Sequence, residues 1–435
     1  MVTALLYYAL SILLGFFSPV LGLTGLACSL LIRFQDRVPE IAAFRPFTLL
    51  LAGMLLSCLL HSAKLSKHRW KQDKLLIAML IVSILGLLVL EPGDVISETI
   101  QFVSSLAMFY FASRLMTKQW HFYFIFFAMA GCVLFLGYEA YQSIQANPLT
   151  TIHFDPRTVE MDEQGNITGR WQGIGYYANA NEFGALMIFT IPFLLAWILA
   201  RKNLIVSLAA VAAMCFMIYV VGKSGSRTVM VLLGFIFVAT FVLRSRGKLV
   251  KKSIVAGIMG LLLLVVLSYI PGPIQDRLNS ILEAGTDSSF QGRTRAWGYG
   301  FQMLSWYPIT GVGKGQWYEY HGLAAHNSYV NIMAELGPAG IYIFIWILVL
   351  GYKELMPFVI VSDKDPPFEL DNATRTLAIA VFVSYSTWLI YIFLGNHSYA
   401  FWTYFYIGLC AAMRNLRPEI VAEEKPGTSL STEVR

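Results

Sequence analysis

Residues 49–60 read LLLAGMLLSCLL and residues 260–270 read GLLLLVVLSYI. Neither run alternates. Both are apolar all round, as in an α-helix whose whole circumference meets hydrocarbon or other helices, whereas the strands of a membrane β-barrel alternate apolar and polar residues. Similar runs of roughly 17 to 25 residues, each long enough to cross a ~30 Å hydrocarbon core, recur along the 435-residue chain. Mean hydropathy is +0.61. With 57% hydrophobic and only 13% charged residues, the composition lies outside that of soluble globular domains. The fold class read from this is an all-α polytopic membrane protein.

Basic clusters orient the spans by the positive-inside rule. KLSKHRWKQDK (64–74), Arg201-Lys202, RSRGKLVKK (244–252) and Arg414 with Arg417 mark the cytoplasmic side. Spans are expected near 44–62, 75–91, 96–116, 122–142, 183–200, 203–221, 227–244, 253–270, 327–352, 375–395 and 400–413. The N-terminal stretch 2–32 adds one more, for about 12 transmembrane helices with both ends cytoplasmic. Gly15, Ser18-Pro19 and Gly22 are breakers within that stretch, and splitting it into two short helices puts the N-terminus outside.

The expected organisation is a transmembrane domain over 1–417, with extracytoplasmic (periplasmic) loops at about 143–182 and 271–325, and a disordered cytoplasmic tail over 418–435. The loops exceed ordinary connection lengths, which marks them as functional or partly folded. The second forms a large helical and loop region before the histidine-bearing helix. The N-terminus lacks a basic n-region and a small-residue cleavage site, so it reads as a retained span. Cys28, Cys58, Cys132, Cys215 and Cys410 all fall in apolar runs without metal-ligand spacing, as expected of buried small hydrophobes. No internal repeat of the kind found in many secondary transporters is visible.

On this topology the outer side carries Arg33, Arg37, Arg45, Arg157, Arg170, Arg227, Arg277, Arg293 and Arg295, but only two lysines, Lys223 and Lys314. Cationic residues there run against the insertion bias. A guanidinium stays charged and presents a planar fork of donors that matches phosphate oxygens, so an extracytoplasmic phosphate or pyrophosphate is the natural ligand. Headgroup contact or pairing with nearby carboxylates is the alternative for any one of them. Arg227 departs most from it, because it sits where an apolar helix resumes after a short outer turn.

The segment from Gly292 to Gly340 holds GRTRAW, with Arg293 and Arg295, and then His326-Asn327 at the start of an apolar run. Pro338 is expected to kink that helix and leave a short outer segment over about 326–336. The positive helix end together with Arg293 and Arg295 is expected to lower the imidazole pKa, and a neutral imidazole is what a general base requires. His326 is therefore the candidate catalytic residue. His397, in a turn between the last two spans, is a possible helper, and His321 and His153 are weaker rivals. Asn327 is a possible supporting residue, and Asn181 reads either as a helix cap or as a contact to sugar hydroxyls.

These residues resemble the bacterial O-antigen ligases, within the superfamily that includes O-antigen polymerases and pilin O-oligosaccharyltransferases. His326-Asn327, nine residues, then Gly337 and Gly340 fits the ligase pattern. Arg170 with the Asn-x-Asn stretch, SGSR ending at Arg227, and GRTRAW are similar to the superfamily's other marks. The resemblance implies an inverting, membrane-embedded C-type glycosyltransferase of the inner membrane, whose active site faces the periplasm. It implies as donor O-antigen on undecaprenyl pyrophosphate, and as acceptor a sugar hydroxyl of lipid A-core, in lipopolysaccharide maturation. His326 takes the acceptor proton, and Arg170, Arg227, Arg293 and Arg295 bind the pyrophosphate.

No Asp-x-Asp pair and no His/carboxylate cluster at ligand spacing is found in the outer segments, so the reaction is expected to need no metal and no cofactor. A polymerase, a protein O-oligosaccharyltransferase or an exopolysaccharide ligase would use the same donor with another acceptor. A transporter of lipid-linked anions is the reading outside the enzymes. It calls for polar or broken-helix sites near the membrane midplane, whereas the polar residues here cluster at outer helix ends.

Overall fold

The computed structural model describes residues 1–68, 70–90, 95–161, 165, 167–200, 203–245, 254, 257–258, 288–360 and 371–416. In chain order the helices are α1 (Val2–Phe17), α2 (Pro19–Ile32), α3 (Phe34–Arg37), α4 (Pro46–Leu60), α5 (Lys71–Leu90), α6 (Val95–Leu115) and α7 (Gln119–Ala146). A two-stranded ribbon, β1 (Glu160–Met161) with β2 (Ile167–Thr168), precedes α8 (Ala180–Ile188), α9 (Ile191–Leu199), α10 (Leu204–Ser224) and α11 (Arg227–Arg244). Then follow α12 (Ser288–Trp306), α13 (Trp317–Tyr320), α14 (Ser328–Val359), α15 (Asn372–Phe393) and α16 (Phe401–Ala412).

Among the described residues nine helices are long and apolar enough to cross a membrane, with α8 and α9 counted as one. The chain is an all-α polytopic membrane protein. The observed helices overlap ten of the expected spans, whose ends differ by only a few residues except in α14, which runs on to Val359. The expected span 253–270 and the tail 418–435 fall outside the described residues, apart from 254 and 257–258 in the span. Of the five cysteines Cys215 is exposed on α10, against the expectation that all are buried.

The N-terminal stretch is two helices rather than one span. Ser18 takes an extended conformation (φ −152°, ψ 120°) and Pro19 opens α2. A Cβ built on Gly22 would come within 2.9 Å of the Gly15 Cα, so the helices cross where neither has a side chain. Tyr7 donates to the Gly25 carbonyl at 2.7 Å and Tyr8 to Gln35 Oε1 at 3.3 Å. The hairpin therefore returns the start of α1 to the end of α2, at the end of the bundle that also carries Arg170, Arg227 and His326.

α14 is broken where Pro338 predicts. Gly337 has φ 65° and ψ −166°, backbone open essentially to glycine alone. The break frees carbonyls, and a buried carbonyl needs a donor. The loop before α13 supplies two: Val312 N–H to Ala334 O at 2.8 Å and Gly313 N–H to Glu335 O at 3.0 Å. That loop approaches so closely that a Cβ on Gly337 would lie 2.4 Å from the Ile309 carbonyl oxygen.

α12 lies in the second polar insertion. Ala296, Gly300 and Met303 form its buried stripe, and a Cβ on Gly300 would meet Val330 at 2.5 Å and the Trp317 ring at 3.2 Å. This seats α12 against the short outer part of α14. Arg293 is one turn before Ala296 on the same stripe and is half-buried, while Arg295 is exposed on another face.

Candidate active site

Three non-glycine residues among those described have positive φ: Arg33 (49°), Arg45 (46°) and His326 (47°). All three flank helix termini at one end of the bundle. Such a conformation costs of order 1–3 kcal/mol and persists where the surroundings over-determine it. At His326 the constraints are visible. Trp297 on α12 donates from Nε1 to the Ala325 carbonyl at 3.0 Å. On the other side Asn327 caps α14, its Oδ1 accepting from Tyr329 N–H at 3.0 Å and Val330 N–H at 3.2 Å. Asn327 is 2% exposed, and its side-chain oxygen is engaged in holding the helix that presents the histidine.

His326 is exposed at its surface, so its desolvation is partial, yet that burial is the first cause holding its imidazole below the ordinary histidine pKa. The Arg293 charge is the second, and Glu182 pulls the other way. The direction matches the sequence expectation; the cause differs, because burial leads and Arg295, on the far side of α12, is not among the charges acting on the ring.

Glu182 was not singled out from the sequence. It lies in the first turn of α8, where its carboxylate is within electrostatic reach of both His326 and His397. Tyr391 donates to its Oε2 at 2.6 Å. His397 Nε2 lies 3.3 Å from Glu182 Oε1, an ion-pair separation without hydrogen-bond geometry. The other ring nitrogen, Nδ1, meets the Tyr176 hydroxyl at 3.1 Å. Tyr176 is placed in turn by Asp36, which accepts from its N–H at 3.0 Å, and by the Arg33 guanidinium 5.0 Å from its ring centroid. Arg33 and Asp36 are themselves paired at 2.8 Å.

Arg170 and Arg227 meet at the turn between α10 and α11. Gly225, at φ 58°, ends α10, and Ser226 caps α11, whose first residue is Arg227. Arg170 donates from Nε to the Ser224 carbonyl at 2.9 Å and from Nη2 to Asn181 Oδ1 at 3.0 Å. The α8 cap is Asn179, which accepts from Asn181 N–H at 2.8 Å, so Asn181 is not the cap residue but the partner of Arg170. Glu182 follows it directly, so the turn with the two arginines adjoins the carboxylate that acts electrostatically on His326.

The structure thus brings His326, Arg293, His397, Glu182, Arg170, Asn181 and Arg227 to one end of the bundle and leaves Arg295 outside the cluster. His153 is buried, with Nδ1 3.0 Å from the Gln172 carbonyl oxygen, and belongs to loop packing. His321 stacks beside Trp317 and Tyr299. Among the described residues no group of three His, Cys, Asp or Glu side chains is disposed to hold a metal ion. The signal for Glu182 was a lone carboxylate opening the apolar run ANEFGALMIF. An ionisable residue at a span's mouth is a functional candidate in its own right.

Compared with known proteins, residues 212–345 match the family described as O-Antigen ligase. The matched stretch holds Arg227, Arg293, Arg295, His326, Asn327 and the α14 break. Arg170, Asn181, Glu182 and His397 lie outside it. No curated protein matches the chain significantly.

Proposed function

We propose that this chain, which belongs through residues 212–345 to the O-antigen ligase/polymerase superfamily, is an inverting glycosyltransferase that moves O-antigen from undecaprenyl pyrophosphate to a sugar hydroxyl of lipid A-core, on the periplasmic face of the inner membrane. The observation that carries the reading is the position of His326 at the mouth of the broken helix α14, held there in a positive-φ conformation, with its imidazole kept below the ordinary pKa by partial burial and the Arg293 charge and with Glu182 within electrostatic reach. An imidazole poised in this way is neutral near pH 7 and able to accept a proton.

In the proposed step the acceptor hydroxyl gives its proton to His326, and its oxygen attacks the anomeric carbon from the face opposite the pyrophosphate. The bond from that carbon to the phosphate oxygen breaks, and undecaprenyl pyrophosphate leaves with the electron pair. Configuration inverts once. Glu182, within electrostatic reach of the ring, stabilises the imidazolium through its charge as it forms, and Tyr391 and His397 hold the carboxylate in place. Arg170, Arg227 and Arg293 balance the charge growing on the leaving group, a task that needs no metal ion.

The test is reconstitution with undecaprenyl-pyrophosphate glycan and three acceptors: lipid A-core, a growing glycan and a pilin. Transfer to lipid A-core that withstands EDTA and falls by about 10²–10⁴ in His326→Ala is expected, the contribution typical of a general base. Lengthening of the glycan or modification of pilin would replace the ligase reading with its polymerase or protein-glycosylating alternatives. Loss of activity in EDTA would sink the metal-independent step, and an unaffected His326→Ala would sink the base.

A further inference from the structure

A second polar region lies along the outer part of α14. Asn327, Asn331 and Glu335 follow one another at four-residue intervals. Beyond the cap, Asn331 and Glu335, each 2% exposed, face a cavity of about 460 Å³, within the range of about 300–1,000 Å³ usual for small-molecule sites. Glu98 and Gln101 of α6 form one wall, Lys314 another, and the turn Asn396–Tyr399 a third.

Four buried polar atoms around this cavity have no hydrogen-bond partner of good geometry: Asn331 Nδ2, Asn396 Oδ1, Glu335 Oε2 and the Tyr399 hydroxyl. Glu335 and the Tyr399 hydroxyl are side-chain hydrogen-bond partners of each other, which leaves Asn331 Nδ2 and Asn396 Oδ1. Buried polar groups left so are costly, and here one donor and one acceptor belong to residues that line the same space. The other half of Asn331 is engaged, since Ser398 donates to its Oδ1 at 2.8 Å.

Charge decides what fits. Lys314, 1% exposed, is bonded to Glu98 and, at 3.0 Å, to Gln101 Oε1. Arg33 at the rim is paired with Asp36. With those cations matched, Glu335 leaves the lining without positive charge to offer a phosphate. Hydroxyl groups, which donate to a carboxylate and accept from an amide, suit it instead. Tyr399, Tyr176 and Trp402 add aromatic surface on which the apolar face of a pyranose can rest. Tyr176, Tyr177 and Trp402 also line the recess that contains Glu182 and His397, so the two regions share a wall.

We propose that this cavity binds one uncharged pyranose ring, with neighbouring free hydroxyls, of the glycan handled at the His326 site. Its place in the reaction rests on the proposed function; its ability to bind a sugar does not. The experiment is saturation-transfer NMR on the full-length protein in lipid nanodiscs free of glycoside detergents, with methyl glucopyranoside, galactopyranoside and mannopyranoside as probes. At least one is expected to bind. Asn331→Ala and, separately, Asn396→Ala weaken that binding about fivefold or more, His326→Ala leaves it within about twofold, and inorganic pyrophosphate does not displace the sugar. Asn396 Oδ1 has no protein hydrogen bond to lose, so that variant keeps the test valid if Asn331→Ala unfolds.

No binding by any of the three, binding that survives both substitutions, or displacement by pyrophosphate overturns the proposal. In the transfer assay the asparagine variants raise KM for whichever glycan the cavity holds, donor or acceptor, with kcat within about threefold. A protein that binds the pyranosides but transfers nothing overturns the catalytic reading and upholds the sugar site.

Discussion

The His326 cluster and the Glu335 cavity share one short helix, yet they treat charge in opposite ways. Around His326 the cations are arginines near helix ends and turns, and the anion acting on the histidine is a single carboxylate. Around Glu335 the cation is a lysine, buried and already bonded to Glu98 and Gln101. A guanidinium presents a planar fork that matches a planar anion, whereas a buried ammonium with its own carboxylate completes a structure. Cationic residues on one face of a membrane protein are thus not one population.

Substitution of one cation from each region sharpens this contrast most. Arg227→Gln is expected to slow transfer by about 10²–10³, the usual cost of one group that stabilises a leaving anion, with a smaller loss of thermal stability than removal of Lys314. Lys314→Met is expected to do the reverse, destabilising by about 3 kcal/mol because Glu98 and Glu335 lose their counter-charge, as read from denaturant unfolding. Equal effects on rate and stability in both variants would erase the distinction.

A smaller effect is expected in the pH profile. With His326 as the proposed base, activity is expected to fall as pH drops through a pKa lying below the ordinary histidine value. Arg293 lowers that pKa and Glu182 raises it. Arg293→Gln therefore moves the acid limb of kcat/KM to higher pH, and Glu182→Gln moves it to lower pH. Glu335→Gln, in the other region, leaves it in place. Shifts of one sign in both His326-side variants would mean that the group titrating is not His326.

The smallest effect concerns the shared helix itself. Asn327→Ala removes the cap that accepts from Tyr329 and Val330 and is expected to cost about 1 kcal/mol. Since both regions stand on this segment, transfer and pyranoside binding should weaken together and modestly. A loss of transfer as deep as that of His326→Ala would instead give Asn327 a direct part in the chemistry.

Much of the bundle was legible because lipid imposes a rule that sequence displays: a span needs an uninterrupted apolar run. The break near Pro338 was equally legible, since a proline inside a helix removes a donor wherever it occurs. α12 was hidden within a polar insertion because its buried stripe, Ala296, Gly300 and Met303, is narrow and partly made of small residues. The pair Arg293 and Arg295 looked equivalent for the same reason, until a helical repeat put them on different faces.

By itself the sequence determined the class, the approximate spans, His326 at the mouth of a kinked helix, and a cationic end rich in arginine and poor in lysine. These follow from local composition and from stereochemistry carried by single residues. Only the tertiary structure decided that Glu182 comes within electrostatic reach of His326, that His397 joins Glu182 to Tyr176, that Arg170 is held by Asn181 and Ser224, and that Lys314 pairs with Glu98. Those partners are far apart in the chain, 221 residues for Tyr176 and His397 and 216 for Glu98 and Lys314. Apolar spans constrain which helices can exist, but the choice of neighbours comes from close packing at glycines such as Gly22, Gly300 and Gly337, whose missing side chains let one backbone approach another.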